Sequence, residues 1–218
     1  MLKIGSIKYN FGNKIIFENV SINFESGKIY GIVGANGVGK TTLFRVLAGQ
    51  YKSRTGKMTW SGTSLSRMDI SFLPTDPYFY PYMNGHEYLT IVITDSSKLN
   101  EAINMSKSLN LNLEQIVDTY STGMKKKLAF IANYIQNRPI AIYDEPFNGV
   151  DLESNELLCS FLKGNKAEHL TLLSSHILSM LDEVCDEILH IEEGYKITTY
   201  LPNQFSDLKL HIKNRLGI

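Results

Sequence analysis

The sequence lacks both the long apolar runs of membrane-spanning chains and the cysteine pattern of disulfide-built proteins. No window approaches about 18 uninterrupted apolar residues, so we expect no transmembrane helix. The N-terminal segment Met1–Ser6 also lacks the apolar core of a secretory signal peptide. The two cysteines, Cys159 and Cys185, lie far apart and outside any CxxC pattern, which favours reduced thiols in a cytoplasmic protein.

An excess of charge of either sign is also missing. Lys and Arg together number 22, as do Asp and Glu, so the formal net charge is zero. A neutral chain offers no overall electrostatic attraction to nucleic acid or to an anionic membrane surface, and we expect no nucleic-acid partner. With 218 residues, 43% of them hydrophobic, the chain can form one large domain or one domain with two lobes.

Residues 34–41 read G-A-N-G-V-G-K-T and match the phosphate-binding P-loop pattern G-x-x-x-x-G-K-[ST]. The glycines let successive backbone N–H groups turn inward around phosphate oxygens, while Lys40 places a charge at the β- and γ-phosphates. Thr41 offers a hydroxyl to Mg²⁺. An apolar strand is predicted over 29–33 and a helix over 41–50, which is the setting that the motif requires. The predicted nucleotide contacts here are Asn36, Gly37, Val38, Gly39, Lys40, Thr41 and Thr42.

Two further polar motifs follow predicted strands. An apolar strand over 140–143 leads into Asp144 and Glu145. Charges at the end of a buried strand are costly unless they meet a metal or a partner, so we expect Asp144 to hold Mg²⁺ and Glu145 to polarise the attacking water. His176 follows a strand predicted over 170–173, at the sheet edge where open α/β folds bind ligands. We therefore predict that His176 contacts the γ-phosphate.

The pattern of apolar residues predicts three successive segments. The first, to about residue 68, is strand-rich, residues 78–137 look helical, and strands and helices alternate after residue 139. Outside the motifs above, strands are predicted over 4–9, 15–17, 21–24, 57–60, 70–73, 187–191 and 195–199. Ser121 is placed to cap a helix.

Two compositional runs each allow two interpretations. Lys125–Lys127 is typical of a solvated helix face, although these charges could instead support an anionic phosphate site across a dimer. The aromatic run Tyr78–Tyr82 could belong to the core or form a stacking platform, and we favour a protein interface because an exposed aromatic cluster is typical of one.

Taken in order, these motifs resemble those of the nucleotide-binding subunits of ABC transporters, of the exporter type, along nearly the whole chain. Residues 120–124 read Y-S-T-G-M where that family has its LSGGQ signature, so Ser121 and Gly123 are retained. Residues 148–151 resemble the D-loop, and His176 resembles the switch histidine. Phe11 lies where the family stacks an aromatic residue on adenine, although it could be an ordinary core residue and Tyr9 and Phe17 compete for either role.

One position departs from the family pattern. After the strand over 70–73, the family usually has a Gln that ligates Mg²⁺ or its bound water, and this chain has Thr75. The shorter hydroxyl side chain could still meet a metal-bound water, so Thr75 is a candidate metal contact. Asp76 is the alternative.

The resemblance implies a P-loop NTPase of ABC architecture with ATP and Mg²⁺ as cofactors. A RecA-like core with an antiparallel β lobe would occupy about 1–75 and 139–218, and a helical lobe about 76–138, within one domain. Two copies, most simply a homodimer, would sandwich ATP, with Ser121 and Gly123 of one copy completing the site of the other. The chain would act at the inner face of the cell membrane on a separate membrane-spanning transporter subunit.

Two other functions stay open at the level of sequence. A soluble ABC ATPase acting on a ribosome or nucleic-acid complex usually has two cassettes or a coiled-coil insertion, and neither is present here. A regulatory module that binds ATP without hydrolysis would not need Glu145 and His176, whereas Thr75 mildly favours it.

Overall fold

The computed structural model describes the backbone of residues 1–216 and, in that range, all side chains except those of residues 168, 215 and 216. The strands are β1 (Leu2–Phe11), β2 (Lys14–Phe24), β3 (Ile29–Gly34), β4 (Thr55–Trp60), β5 (Thr63–Ser64), β6 (Ile70–Leu73), β7 (Ile140–Asp144), β8 (Leu170–Ser174), β9 (Glu187–Ile191) and β10 (Ile197–Tyr200). The α-helices are α1 (Lys40–Leu47), α2 (Gly85–Val92), α3 (Ser96–Ser108), α4 (Thr122–Tyr134), α5 (Leu152–Gly164), α6 (Leu178–Val184) and α7 (Phe205–Leu216).

The P-loop, the two acidic residues and His176 all lie at or just after the ends of strands of one six-stranded sheet. Its strand order is β10-β9-β3-β8-β7-β6, with β10 antiparallel to β9 and the other neighbours parallel. Since parallel strands end at the same edge, β3, β8 and β7 deliver the P-loop, residues 174–176 and residues 144–145 side by side. This edge is where open α/β sheets bind their ligands.

The same sheet is buried on both faces because its strands carry apolar residues on both sides. Along β7, Ile140 and Ile142 face one apolar cluster, while Ala141 and Tyr143 face another. Successive side chains of a strand point to opposite faces, so a continuous apolar run is what such a buried strand needs. The cluster that contains Ile140 and Ile142 joins the sheet to α1 and to strands β1 and β2. The cluster that contains Ala141 and Tyr143 joins it to α2–α7.

A second, antiparallel sheet has the order β2-β1-β4-β5. The sequence predicted separate strands over 15–17 and 21–24, but the structure has the single strand β2 across both. Asn19 adopts a φ of 56° inside it, and the pairing of β1 with β2 shifts register nearby. The polar stretch that suggested a break is therefore an irregularity within one strand.

Helix α4 begins where the sequence predicted. The hydroxyl of Ser121 accepts a 3.2 Å hydrogen bond from the N–H of Met124 and caps the helix. The solvated-face interpretation of Lys125–Lys127 is wrong for two of the three residues, since Lys126 and Lys127 are buried. The ammonium of Lys127 donates to the carbonyl of Leu109 at 2.8 Å.

In the C-terminal part, the last two predicted strands form a hairpin, and one further helix, α7, follows them. Strands β9 and β10 pair across a turn in which Gly194 adopts a φ of 76°, and β10 begins at Ile197, two residues later than predicted. Phe205 and Leu208 of α7 are buried in the apolar cluster between the six-stranded sheet and helices α2–α6. Within residues 1–216, none of the helices combines the length and apolar character needed to cross a membrane.

Candidate active site

A cavity of about 250 Å³ opens where β3, β7 and β8 end. Its walls are Asn36, Gly37, Gly39, Lys40, Thr41, Thr42, Thr75, Asp144, Glu145 and His176. These residues come from four places in the chain, and all ten were predicted as site residues from the sequence. Four other predicted site residues do not line it: Phe11, Val38, Ser121 and Gly123.

The P-loop backbone adopts conformations that require glycine. Gly39 caps α1 with a φ of 108°, and a Cβ at this position would overlap the hydroxyl of Tyr195. Gly37 has a φ of 79°. The left-handed region is accessible to glycine at little cost. Val38 packs its side chain on the core beside α1, so it can reach the cavity only through its backbone.

Lys40 brings a largely desolvated positive charge into this cavity. Its side chain is 8% exposed, and its ammonium donates to the carbonyl oxygens of Gly34 at 2.7 Å and Ala35 at 3.3 Å. Burial lowers the pKa of Lys40, while the charges of Glu145 and Asp144 act in the opposite direction. A cation held among main-chain carbonyls gains strongly from an anionic oxygen, which is the chemistry of a phosphate site.

Two hydroxyls orient the carboxylate of Asp144, which is 1% exposed. Its Oδ1 accepts from Ser174 Oγ at 2.6 Å, and its Oδ2 accepts from Thr75 Oγ1 at 2.7 Å. With Thr41, these groups form a set of hydroxyl and carboxylate oxygens, the hard donors that suit Mg²⁺. The alternative metal contact, Asp76, is not among the cavity-lining residues.

Glu145 and His176 contact each other in the wall of the same cavity. Glu145 Oε1 lies 3.1 Å from His176 Nε2, and Glu145 Oε2 accepts from the backbone N–H of His176 at 3.2 Å. Burial raises the pKa of Glu145, and the neighbouring His176 partly offsets this rise. Glu145 also has a φ of 56°, a strained backbone of the kind found at functional sites. A carboxylate with a raised pKa is a better proton acceptor.

Sequence reasoning missed Ser174 as a site residue. Its hydroxyl accepts from the backbone N–H of Glu145 at 3.0 Å while it donates to Asp144, so it holds both acidic residues. It is fully buried. The available signal was a polar residue at the end of an apolar strand, two positions before His176.

Phe11 lies on the surface rather than in the core. Its ring is 48% exposed and makes edge contacts with Tyr9 and Tyr51, at centroid distances of 5.0 and 5.6 Å. Phe17, by contrast, is buried. The core interpretation of Phe11 is therefore wrong, and Phe11 is more exposed than either Tyr9 or Phe17.

Ser121 and Gly123 lie at the start of α4, away from their own chain's cavity. A Cβ at Gly123 would overlap the carbonyl oxygen of Gly149, so the signature-like segment packs directly on the predicted D-loop. Ser121 is exposed. One chain alone therefore does not bring these two residues to the nucleotide cavity.

The family model for ABC transporters matches residues 17–148. The lantibiotic transport ATP-binding protein SrtF of Streptococcus pyogenes is 31% identical over 202 residues, covering 89% of this chain and 88% of the relative. The uncharacterized ABC transporter ATP-binding protein YdbJ of Bacillus subtilis is also 31% identical, over 89% of this chain and 67% of the relative.

Solved structures agree on the fold. A structure described as the ATP-binding subunit of an ABC transporter superimposes with a TM-score of 0.85 at 22% identity, covering 100% of this chain and 93% of the other. The ATP-binding cassette MJ0796, a dimer bound to ADP and Pi, gives a TM-score of 0.82 at 18% identity, covering 93% and 99%. At such identities the likeness shows the fold, and the family follows from the sequence matches. The chain therefore belongs to the ABC transporter family, as an ATP-binding ATPase subunit.

Proposed function

We propose that this chain binds Mg-ATP in the cavity at the ends of β3, β7 and β8, and that it hydrolyses ATP to drive transport. One observation carries the proposal. The buried cation of Lys40, the oriented carboxylate of Asp144 and the Glu145–His176 pair line the same cavity. Together they supply phosphate binding, metal ligation and proton acceptance, which are the parts that phosphoryl transfer to water requires.

Each side chain has a distinct role in this proposal. Lys40 exchanges its carbonyl partners for β- and γ-phosphate oxygens of ATP. Glu145 accepts a hydrogen bond from the attacking water and, with its raised pKa, favours removal of the proton. His176 keeps Glu145 oriented through two contacts and lies at the γ-phosphate.

The oxygen donors fit a magnesium ion. Thr41 and Asp144 would hold Mg²⁺, with Thr75 contacting it or its bound water, and the ion would neutralise charge on the phosphates. Thr75 and Ser174 fix the two oxygens of Asp144 through their hydroxyls, so the carboxylate is preorganised for a cation.

The position of the signature-like segment supports a head-to-tail dimer, most simply of identical chains. Ser121 and Gly123 lie outside their own cavity at the start of α4, where Ser121 is exposed and Gly123 is buried, and the N–H groups of a helix start suit a phosphate. In the dimer they would face the ATP of the partner chain. Phe11, with its exposed ring, would stack on adenine. We also propose the division into a core lobe, about 1–75 and 139–218, and a helical lobe, about 76–138.

The aromatic segment after β6 supports docking on a membrane-spanning subunit at the inner face of the cell membrane. Tyr78, Tyr80 and Tyr82 are exposed, the last by 86%, whereas Phe79 packs on Tyr88 at a centroid distance of 4.8 Å. Phe79 therefore packs against α2, while the three exposed tyrosines are available for a protein interface. Since SrtF is named for lantibiotic transport, a peptide is the cargo that we propose.

Replacing Glu145 by Gln tests the chemistry. We expect E145Q to bind ATP as the wild type does, to lose about 10²–10⁴-fold in turnover, and to accumulate an ATP-bound dimer in light scattering. Glu101→Gln, on the exposed face of α3, is the matched control and should hydrolyse normally. Full turnover by E145Q would remove Glu145 from the mechanism. Absence of measurable turnover by the wild type itself would favour the non-hydrolysing module.

Membrane docking is tested separately. Replacing Tyr80 and Tyr82 by Ala should release the chain from membranes of cells that also express its genomic neighbours, because truncated interface aromatics often cost about 2 kcal/mol or more each. Met68→Ala, another exposed apolar residue, is the control. A wild-type chain found wholly outside the membrane fraction would contradict the transporter function.

A further inference from the structure

A group of metal-ligating side chains lies outside the nucleotide cavity. His190, Glu192 and His211 offer ligand atoms that all lie within 4.8 Å of one another, the one such group among the residues whose side chains are described. His190 is buried on β9, Glu192 directly follows that strand, and His211 lies on α7. We propose that these three residues bind a divalent transition metal ion of the zinc class.

Two separations within the group are close to those around a tetrahedral ion, and all ligand atoms lie within 4.8 Å of one another. His211 Nε2 lies 3.5 Å from Glu192 Oε1, and two ligand atoms on one tetrahedral zinc ion are about 3.3 Å apart. The rings of His190 and His211 have centroids 5.3 Å apart at 74°. With zinc–nitrogen bonds of about 2.0–2.1 Å, two imidazoles on one ion have centroids about 5 Å apart. Small side-chain adjustments therefore suffice for binding.

The ligand types select the class of metal. Two imidazole nitrogens and one carboxylate oxygen suit Zn²⁺ and its transition-metal neighbours, whereas Mg²⁺ prefers oxygen alone. Three protein ligands leave one position for water. His190 also lines a cavity of about 500 Å³ whose wall includes Ser175, His176 and Ile212, so a metal-bound water has room beside it.

The backbone holds these ligands in fixed places. His190 pairs with Val33 of β3 on one side and with Thr198 of β10 on the other. On α7, Leu208 is buried one helical turn before His211, and Lys209 forms an ion pair with Asp182 of α6. Because the elements are already docked, binding costs little ordering of the chain.

The group lies next to the nucleotide site without being part of it. The partner of His190, Val33, immediately precedes the P-loop residues 34–41. Glu192 opens the turn to Tyr195, whose hydroxyl faces Gly39. A bound ion would therefore fasten α7 to the strand beside the P-loop, and it would stabilise the folded chain in proportion to its affinity.

Titration of the metal-free chain with zinc chloride, without nucleotide, tests the proposal. Nucleotide is omitted because its phosphates bind metals themselves. We expect one Zn²⁺ per chain by calorimetry and one Co²⁺ by its visible absorption. Since loss of even an outer-shell partner costs metal sites about 10–100-fold, His211→Ala and Glu192→Gln should each weaken binding at least about tenfold. Zinc should raise the unfolding temperature of the wild type but not that of H211A.

Two controls locate the ion. His86→Ala, on α2, and His176→Ala, which lines both cavities but is not one of the three ligands, should bind Zn²⁺ as the wild type does. The unfolding temperature of metal-free H211A shows whether that variant is folded. Weaker Co²⁺ absorption in E192Q than in the wild type tests the proposal with a second variant. Equal zinc affinity of the wild type and H211A would overturn the proposal, and so would loss of binding in H176A. Absence of Zn²⁺ binding by the wild type would also overturn the proposal, and the three side chains would then be in contact without holding a metal.

Discussion

The hydroxyl of Thr75 donates a 2.7 Å hydrogen bond to Oδ2 of Asp144, joining residues that are 69 positions apart. The bond connects the segment after β6 to the end of β7. The other oxygen of Asp144 is held by Ser174. Thr75, which departs from the usual Gln of the family, therefore has a direct structural role in orienting the carboxylate.

Replacing Thr75 by Val should raise the Mg²⁺ concentration needed for half-maximal ATPase activity. Valine keeps the shape but loses a hydrogen bond to a charged group, worth about 1.5 kcal/mol or more, so we expect roughly a tenfold increase. Thr75→Ser retains the hydroxyl and should behave like the wild type. A magnesium requirement that is the same in T75V and T75S would show that the hydroxyl is dispensable.

The parts of the site that the sequence predicted depend on local patterns. The apolar run over 29–33 followed by glycines defines strand, loop and helix within some twenty residues, and β7 ends in two acids just as its pattern indicates. That the ends of β3, β7 and β8 lie together could also be predicted, because parallel strands end at a common edge of the sheet. Local pattern and topology together were sufficient for the acidic residues, His176 and the P-loop, whereas Thr75 became a candidate only through the resemblance to the family.

Contacts between distant segments could not be predicted in this way. Lys127 is buried because the Leu109 carbonyl, Asp151 and Ser154 surround its ammonium, and nothing in the K-K-K run reveals them. Similarly, β2 is one strand and not two because it pairs with β1 on both sides of the register shifts. Tertiary partners decide such features, and a single sequence does not display them.

The three consecutive lysines should therefore differ in their effects on stability. Lys127→Met removes a buried hydrogen bond at 2.8 Å and leaves the Leu109 carbonyl without this donor, so we expect a loss of about 1–3 kcal/mol in the free energy of unfolding. Lys125→Met, which lies outside the buried set, should stay within about 0.5 kcal/mol of the wild type. Urea denaturation measures both. Similar losses at the two positions would contradict the structure.

Replacing Lys40 by Ala should weaken ATP binding about ten- to hundredfold. The ammonium provides a charge-assisted contact worth roughly 1.5–3 kcal/mol, and among the described residues no other lysine or arginine lines the cavity to replace it. Titration of Mg-ATP by calorimetry gives the affinity. Lys107→Ala, exposed in the last turn of α3, is the control for a general change in charge. Equal ATP affinity in K40A and K107A would exclude contact between Lys40 and nucleotide.

The buried carboxyl of Glu145 should make the nucleotide-free chain less stable as the pH rises. Its pKa in the folded state is raised above 4.5, mainly by burial, so the folded state holds this proton more tightly than the unfolded chain does. Below the unfolded pKa both states are protonated and the group has no effect. As the pH rises above that value, the unfolded chain ionises first and the folded state loses relative stability.

Glu145→Gln removes this dependence. The unfolding temperature of E145Q should therefore increase relative to the wild type between about pH 4 and neutrality, and the two should converge at lower pH. Glu101→Gln, at an exposed position, should show no such divergence. A gap between E145Q and the wild type that is constant with pH would show that ionisation of Glu145 is not its cause.

Two helical glycines provide the sharpest test of the packing between the signature-like segment and the D-loop. A Cβ at Gly123 would overlap the Gly149 carbonyl oxygen, which is backbone and cannot rotate away, whereas a Cβ at Gly164 has open space around it. Alanine in a helix is ordinarily favoured over glycine by about 0.5–1 kcal/mol. Gly164→Ala should therefore stabilise the chain slightly and leave ATPase activity intact. Gly123→Ala should lower both stability and ATPase activity, because residues 148–151 must move to accept the methyl group. Urea midpoints and steady-state turnover measure the two effects, and a Gly123→Ala variant as stable and active as Gly164→Ala would show that this contact is not required.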